Sequence, residues 1–289
     1  MSGSLGPLGW AWPRNIAGNA IGWGADGVTL ANIPMESRNL YYFDAVGDGV
    51  TDDTDAVQAA FDWVAGGGLA GRALNITSGQ YLLLDKVSVT VPNHTTVALH
   101  GSGGQAGTIL VGNATGGIEL LCSGSAPFVT VEKFAIVPAM AGAGFLLRVK
   151  GTYSGSGGGI GHNTVVVRDM EFSPLQRTTS TYYSLNPLDF EKMKRPYIER
   201  IVYRPGTQAP AYYGDYLVSL SDCYSPVIKD YVLGGYARIG IKAHHSVATE
   251  GFLSSHGRLT NCLRGIWYQS SPQPGVIIEN THINSSEGN

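Results

Sequence analysis

Apolar positions along the chain follow two rhythms. From Val57 the apolar residues Val57, Ala60, Phe61 and Val64 fall at i, i+3, i+4 and i+7, one face of a helix. Asp48-Gly49 supplies a turn ahead of it, Thr51 or Asp52 suits its N-cap, and Asp52, Asp53 and Asp55 place negative charge at the positive end of its dipole. Gly66 to Gly68 end it, which predicts a helix over about 52–65. Beyond residue 120 the rhythm changes. Val131–Ile136, Val167–Phe172, Ile198–Tyr203 and Ile228–Leu233 share one pattern of apolar, two polar, apolar, any, apolar, which Leu259–Leu263 and Ile278–Ile283 continue. Their starts lie about 36, 31, 30, 31 and 19 residues apart, a period in which each unit stacks on the one before. Second strands with period-two alternation lie between them, at Phe145–Lys150, Leu188–Met193, Val218–Asp222, Ile239–Lys242 and Ile266–Gln269. Pro187, Pro196, Pro205 and Pro226 argue against helices in the gaps, so the pattern predicts coils of short parallel strands.

Composition supports short strands and tight turns: 40 glycines and 14 prolines stand beside 43% hydrophobic and only 14% charged residues. A net charge of −3 offers no basic stripe for a phosphate backbone, so no nucleic-acid partner is expected. No apolar stretch approaches the roughly 20 residues of a membrane span, so no membrane insertion is expected. Cys122, Cys223 and Cys262 are odd in number and lack CxxC spacing, which predicts buried structural thiols and neither a disulfide framework nor a zinc site. Residues 1–38 differ from the rest, with Trp10, Trp12 and Trp23 set among glycines without periodicity. Indoles that find no cover in their own segment find it on a partner, so this stretch reads as an extended docking arm, or else as a poorly ordered terminus. The opening MSGSLGPLGWAWPRN has neither a cationic n-region nor an unbroken apolar h-region, so export by a signal peptide is not expected.

The segment FDAVGDGVTDDTDAVQAAFD, residues 43–62, is similar to the opening motif of pectate-lyase-like β-helix proteins, a group that includes polygalacturonase relatives and many bacteriophage tailspikes. The run Val97–Leu110 resembles the group's early strand, Gly-x-Gly turn, strand element. The resemblance implies an all-β chain: a right-handed parallel β-helix, or solenoid, over 39–289, with rungs from about residue 74, behind the capping helix and the arm 1–38. In such proteins the helix plugs the open end of the coil. Similar tailspikes are homotrimers, so a homotrimer is implied by resemblance alone. Ser285–Asn289 follow a rung strand with no capping element, which leads us to expect further chain beyond them.

Candidate chemistry lies on the second strands. If Leu188 and Phe190 point into the coil, Asp189 and Glu191 point out, about 6.6 to 7 Å apart along the strand. An inverting glycosidase uses two carboxyl groups about 6.5–9.5 Å apart. The same phase on neighbouring rungs stacks Arg148 and Lys150 before them, then Ser219 and Ser221, then Lys242, then Trp267 and Gln269. Arg148, Lys150, Lys242, Trp267 and Gln269 are therefore candidates to touch sugar. The plainer reading is that outward strand positions are polar because water is there. Ser255-His-Gly257 with Arg238–Lys242 only partly resembles polygalacturonase signatures, since the Asn-Thr-Asp and Asp-Asp elements are missing. His244, His245 and His256 have only Glu250 near them, so no metal is expected, and no motif calls for a cofactor. Three functions follow. The first is a bacteriophage tailspike or tail-fibre subunit, folded in the host cytoplasm and docked on a virion protein by its arm, which binds host-surface polysaccharide and is a candidate to depolymerise it. The second is a secreted microbial polysaccharide hydrolase or lyase. The third is a non-enzymatic virion adaptor or spike stem.

Overall fold

A computed structural model describes residues 36–103, 106–124, 127–153, 164–175, 180–207, 214–235, 237–246, 251–270 and 275–285. Residues 1–35, with Trp10, Trp12 and Trp23, lie outside the described residues. The strand Glu36–Asn39 already pairs with Arg72–Ile76, so the sheet begins ahead of the expected boundary at 38/39. The α-helix runs Thr54–Ala65 and buries Val57, Ala60, Phe61 and Val64, the face its spacing predicts. Asp52, one of the two expected caps, accepts from the amide of Thr54, the first helical residue, at 3.0 Å, while Asp48 and Asp53 act on the turn ahead of the helix. Asp53 occupies the N-cap but makes no side-chain cap. Its carboxylate turns back to accept from the amides of Val46 at 2.6 Å and Gly47 at 3.2 Å, and so pins the preceding turn. Asp48 accepts from the amides of Val50 and Thr51. Gln58 does what a plug requires: its side-chain amide donates to the Ser88 carbonyl and accepts from the Ser88 amide, both at 3.0 Å, and covers the edge of the first strand of a sheet.

Every strand pair among the described residues is parallel. One sheet has seven strands in chain order: Val87–Val91, Ile118–Cys122, Leu147–Lys150, Leu188–Glu191, Gly214–Ser221, Ala237–His245 and Arg264–Ser270. A second sheet has sixteen. It consists of two runs that join where Thr164–Glu171 and Tyr197–Tyr203 pass from one run into the other. The chain thus visits three parallel faces in turn, each strand pairing with its counterpart one circuit later.

The two polar residues of the repeat are the bend. Lys133, Asp169, Arg200, Asp230, His256 and Asn280 have φ between 47° and 65°, and each is the second polar residue at the same corner of successive circuits. One expectation needs correcting here. Leu259 is in register with Leu233, on the next face, and the residue opposite Ile228 is Ser254. The true steps from Ile228 through Ser254 to Ile278 are 26 and 24 residues, instead of 31 and 19. Ser254 escapes an apolar pattern because its hydroxyl lies 2.7 Å from that of Tyr231 inside the coil. Leu259-Thr-Asn-Cys mimics the pattern because Asn261, with φ 59°, turns a corner of its own.

Inside, apolar side chains stack circuit on circuit, for example Val89, Leu120, Val149, Phe190, Leu220 and Ala243 on the seven-stranded face, none more than 4% exposed. Cys122, Cys223 and Cys262 are free and buried, and burial pushes all three thiols up to about 12. Val276, Ile277, Ile278 and Ile283 of the last described circuit are exposed. Among the described residues no helix is long and apolar enough to cross a membrane.

Candidate functional site

The outer face of the seven-stranded sheet carries the column that the alternation predicts. Ser88, Glu119, Arg148, Asp189, Ser219, Lys242 and Trp267 are in register on successive strands. Two residues further along lie Lys150, Glu191, Ser221, His244 and Gln269. The upper half of this face is a chain of ion pairs. Glu119 lies 2.7 Å from Lys86 Nζ and 3.5 Å from Arg148 Nη1. Burial pushes the Glu119 carboxyl up, but hydrogen bonds from Lys86 and Ser88, with the charges of Lys86 and Arg148, outweigh it and hold the group below the usual carboxylate range. Arg148 also donates from Nε to Asp189 at 2.9 Å and lies 4.0 Å over the Phe145 ring. Glu191 meets Lys150 at 3.1 Å and Lys192 at 3.8 Å.

This arrangement bears on the candidate acids. Asp189 and Glu191 do share the outer face of one strand, but each is engaged by a cation from the neighbouring rung. An ion pair between rungs is what stacked outward positions produce when unlike charges meet across a parallel ladder. Arg148 and Lys150 are the partners in those pairs.

Below Ser219 the column carries no further ion pair among the described residues, the pair on these strands, Arg238 with Asp215 at 3.7 Å, lying off it, and aromatic rings take over. Lys242 Nζ lies 5.7 Å from the centre of the Tyr216 ring and 5.6 Å from that of Trp267, a cation held between two π faces. His244 stacks with Trp267, ring centres 6.0 Å apart and planes within 3°. Ser219 and Ser221 hydroxyls lie 3.2 Å apart beside them. Tyr216, Lys242, His244 and Trp267 are half-buried, and Gln269 is exposed at the rim. Burial, with the Asp189 charge adding to it, pushes the Tyr216 phenol up to about 12, so it stays a neutral hydroxyl donor. The result is a shelf of aromatic faces with a cation, hydroxyls and an amide around it. Such a surface can stack a sugar ring and hydrogen-bond its hydroxyls.

Tyr216 escaped the sequence reading. Strict alternation back from Val218 places it inside, but Leu217 and Val218 are both fully buried, so the alternation breaks there, and Tyr216 is left half-buried beside Lys242. The run Phe145, Leu146, Leu147 repeats that buried doublet two strands earlier and was the available signal. The three histidines separate: His244 faces out on the shelf, His245 is buried inside, and His256 turns a corner.

No family model matches the chain, and no curated protein matches it. Among solved structures it is similar to ORF18 of Geobacillus virus E2, at 11% identity and a TM-score of 0.46, over 86% of this chain and 49% of that one. The chain thus spans about half the length of that relative. Tailspike protein 2 of Escherichia coli O157:H7 bacteriophage CAB120 is similar at 11% identity and a TM-score of 0.36, over 86% and 41%. The A-module of the Azotobacter vinelandii mannuronan C-5 epimerase AlgE4 is similar at 16% identity and a TM-score of 0.29, over 85% and 77%. The parallel sheets of this chain fit a pectate-lyase-like β-helix, the architecture that residues 43–62 resemble.

Proposed function

We propose that the chain is a bacteriophage tailspike or tail-fibre subunit whose coil, wound right-handed as parallel crossovers almost always are, binds host-surface polysaccharide along its seven-stranded face. The observation that carries the reading is the shelf of Tyr216, Lys242, His244 and Trp267, an aromatic and cationic surface on an otherwise ion-paired face. In this reading residues 1–38 dock on a virion protein, subunits assemble as a homotrimer, and the protein folds in the host cytoplasm before joining the virion. The ion pairs that engage Asp189 and Glu191 favour a second reading for the same place, a spike stem that holds polysaccharide or neighbouring proteins without cutting.

The test uses fluorescently labelled surface polysaccharides from a panel of bacteria, with retention and polymer length followed together. Retention of at least one polysaccharide, by a protein that light scattering weighs as a trimer, is expected. Shortening of the polymer that Asp189→Asn with Glu191→Gln abolishes would make those acids catalytic and sink the stem. A monomer that retains none of the panel would overturn the proposal.

A further inference from the structure

A second groove opens on a different face. Gly234, Thr260 and Asn284 are in register on three successive strands, and Arg204 directly follows Tyr203, the partner of Leu233. Together with Arg258 and Asn261 they line a groove of about 400 Å³, within the usual range of small-molecule sites. Gly234 is its floor. The Gly234 backbone is not in the left-handed region, so its conformation does not call for glycine. A Cβ there would lie 2.8 Å from Thr260 Oγ1, closer than side chains pack, and 3.6 Å from Arg204 Cγ, so it would press on two residues that line the groove.

The charges around it set the groove apart. Among the described residues no carboxylate lines it. Arg148, Arg168 and Arg200 each meet an acidic side chain, whereas neither Arg204 nor Arg258 meets one among the described residues. Two guanidiniums without an acidic neighbour, in a protein of net charge −3, make a local site for an anion. Around them are a Thr hydroxyl and two Asn amides, which match sugar hydroxyls and would be wasted on a bare anion.

We propose that the Gly234 groove is a subsite for an acidic saccharide, its carboxylate taken between Arg204 and Arg258 and its hydroxyls by Thr260, Asn261 and Asn284. The proposal rests on the reading of the chain as a polysaccharide binder and names the class of sugar it selects. It also makes the coil two-sided, with a stacking shelf on one face and an anion subsite on another.

Calorimetric titration of the full chain with a galacturonic acid tetramer, a galactose tetramer and inorganic phosphate tests it. The acidic tetramer is expected to bind at least tenfold more tightly than the neutral one. Arg204→Gln with Arg258→Gln should remove that tenfold preference, and Gly234→Val, which fills the floor and keeps both charges, should weaken the acidic tetramer at least tenfold in a chain that still unfolds cooperatively. Equal binding of the two tetramers would overturn the subsite, as would phosphate binding as tightly as the acidic tetramer, or a preference that survives all three substitutions. A Trp267→Ala variant assayed on host polysaccharide in parallel separates the two readings. Loss there, together with an unchanged acidic preference in the arginine variant, leaves the polysaccharide reading standing and removes the groove.

Discussion

Six non-glycine residues turn one corner of the coil in the left-handed backbone region, at a cost of about 1–2 kcal/mol each. Their side chains earn nothing in the core, since all point away from it, but some recover energy outside: Arg200 grips Asp169 with two hydrogen bonds of 2.6 and 2.9 Å across adjacent corners. Lys133 has no such fork, so Lys133→Gly is expected to stabilise the fold by about 1 kcal/mol, read as a higher urea midpoint at unchanged slope. A lowered midpoint would show that its side chain matters more than its φ. His245 is a residue of a different kind. It is 2% exposed, beside Tyr268, and neither ring nitrogen has a hydrogen-bond partner among the described residues. Burial lowers its pKa below the ordinary 6.5, with His244 acting in the same direction and Asp222 opposing. The unfolded chain therefore takes up a proton before the folded one does. The stability that the neutral ring permits is fully present above about 6.5 and is lost as pH falls from there through the lower folded value. Melting between pH 7.5 and 5 should reveal this loss, and His245→Phe should flatten it. An equal pH slope in the two proteins would place the dependence elsewhere.

At the scale of elements, the helix Thr54–Ala65 closes the first circuit with Phe61 in the core and Gln58 on the strand edge. Phe61→Ala should cost about 3–5 kcal/mol, measured by denaturant unfolding, because it both removes a buried ring and loosens the plug. A cost below about 1 kcal/mol would mean that the helix is not needed to close the coil. This helix was legible because an amphipathic 3.6-residue pattern needs no distant partner to be seen. The strands were legible where apolar alternation is strict, as at Leu188–Glu191. They were not where a buried hydroxyl replaces an apolar residue, as at Ser254, or where two adjacent residues are both buried and break the phase, as Leu217 and Val218 do beside Tyr216. Capping was legible for Asp52, which holds the Thr54 amide, and not for Asp53, because local sequence cannot show that it folds back onto Val46 and Gly47.

Across the whole molecule the parallel circuits make outward chemistry run in columns. His100, Glu132, Arg168, Glu199 and Lys229 form one, in register, with basic side chains and carboxylates in turn. His100 lies 3.0 Å from Glu132, which also pairs with Arg168, and Lys229 lies 3.0 Å from Glu199. Columns of that kind zip one rung to the next, and the Glu119, Arg148 and Asp189 series does the same on the seven-stranded face. The candidate column was readable from period two alone. The groove around Gly234 was not, because its Arg204 and Arg258 come from separate circuits and its defining feature is a missing side chain. What singles out the lower part of the seven-stranded face is that the zipper ends there and aromatic rings begin. The most direct test of that surface is the affinity of the full chain for a retained host polysaccharide, compared with that of Trp267→Ala combined with Lys242→Ala. The account predicts at least a tenfold weaker affinity at an unchanged melting temperature, whereas an affinity equal to that of the unaltered chain would contradict it.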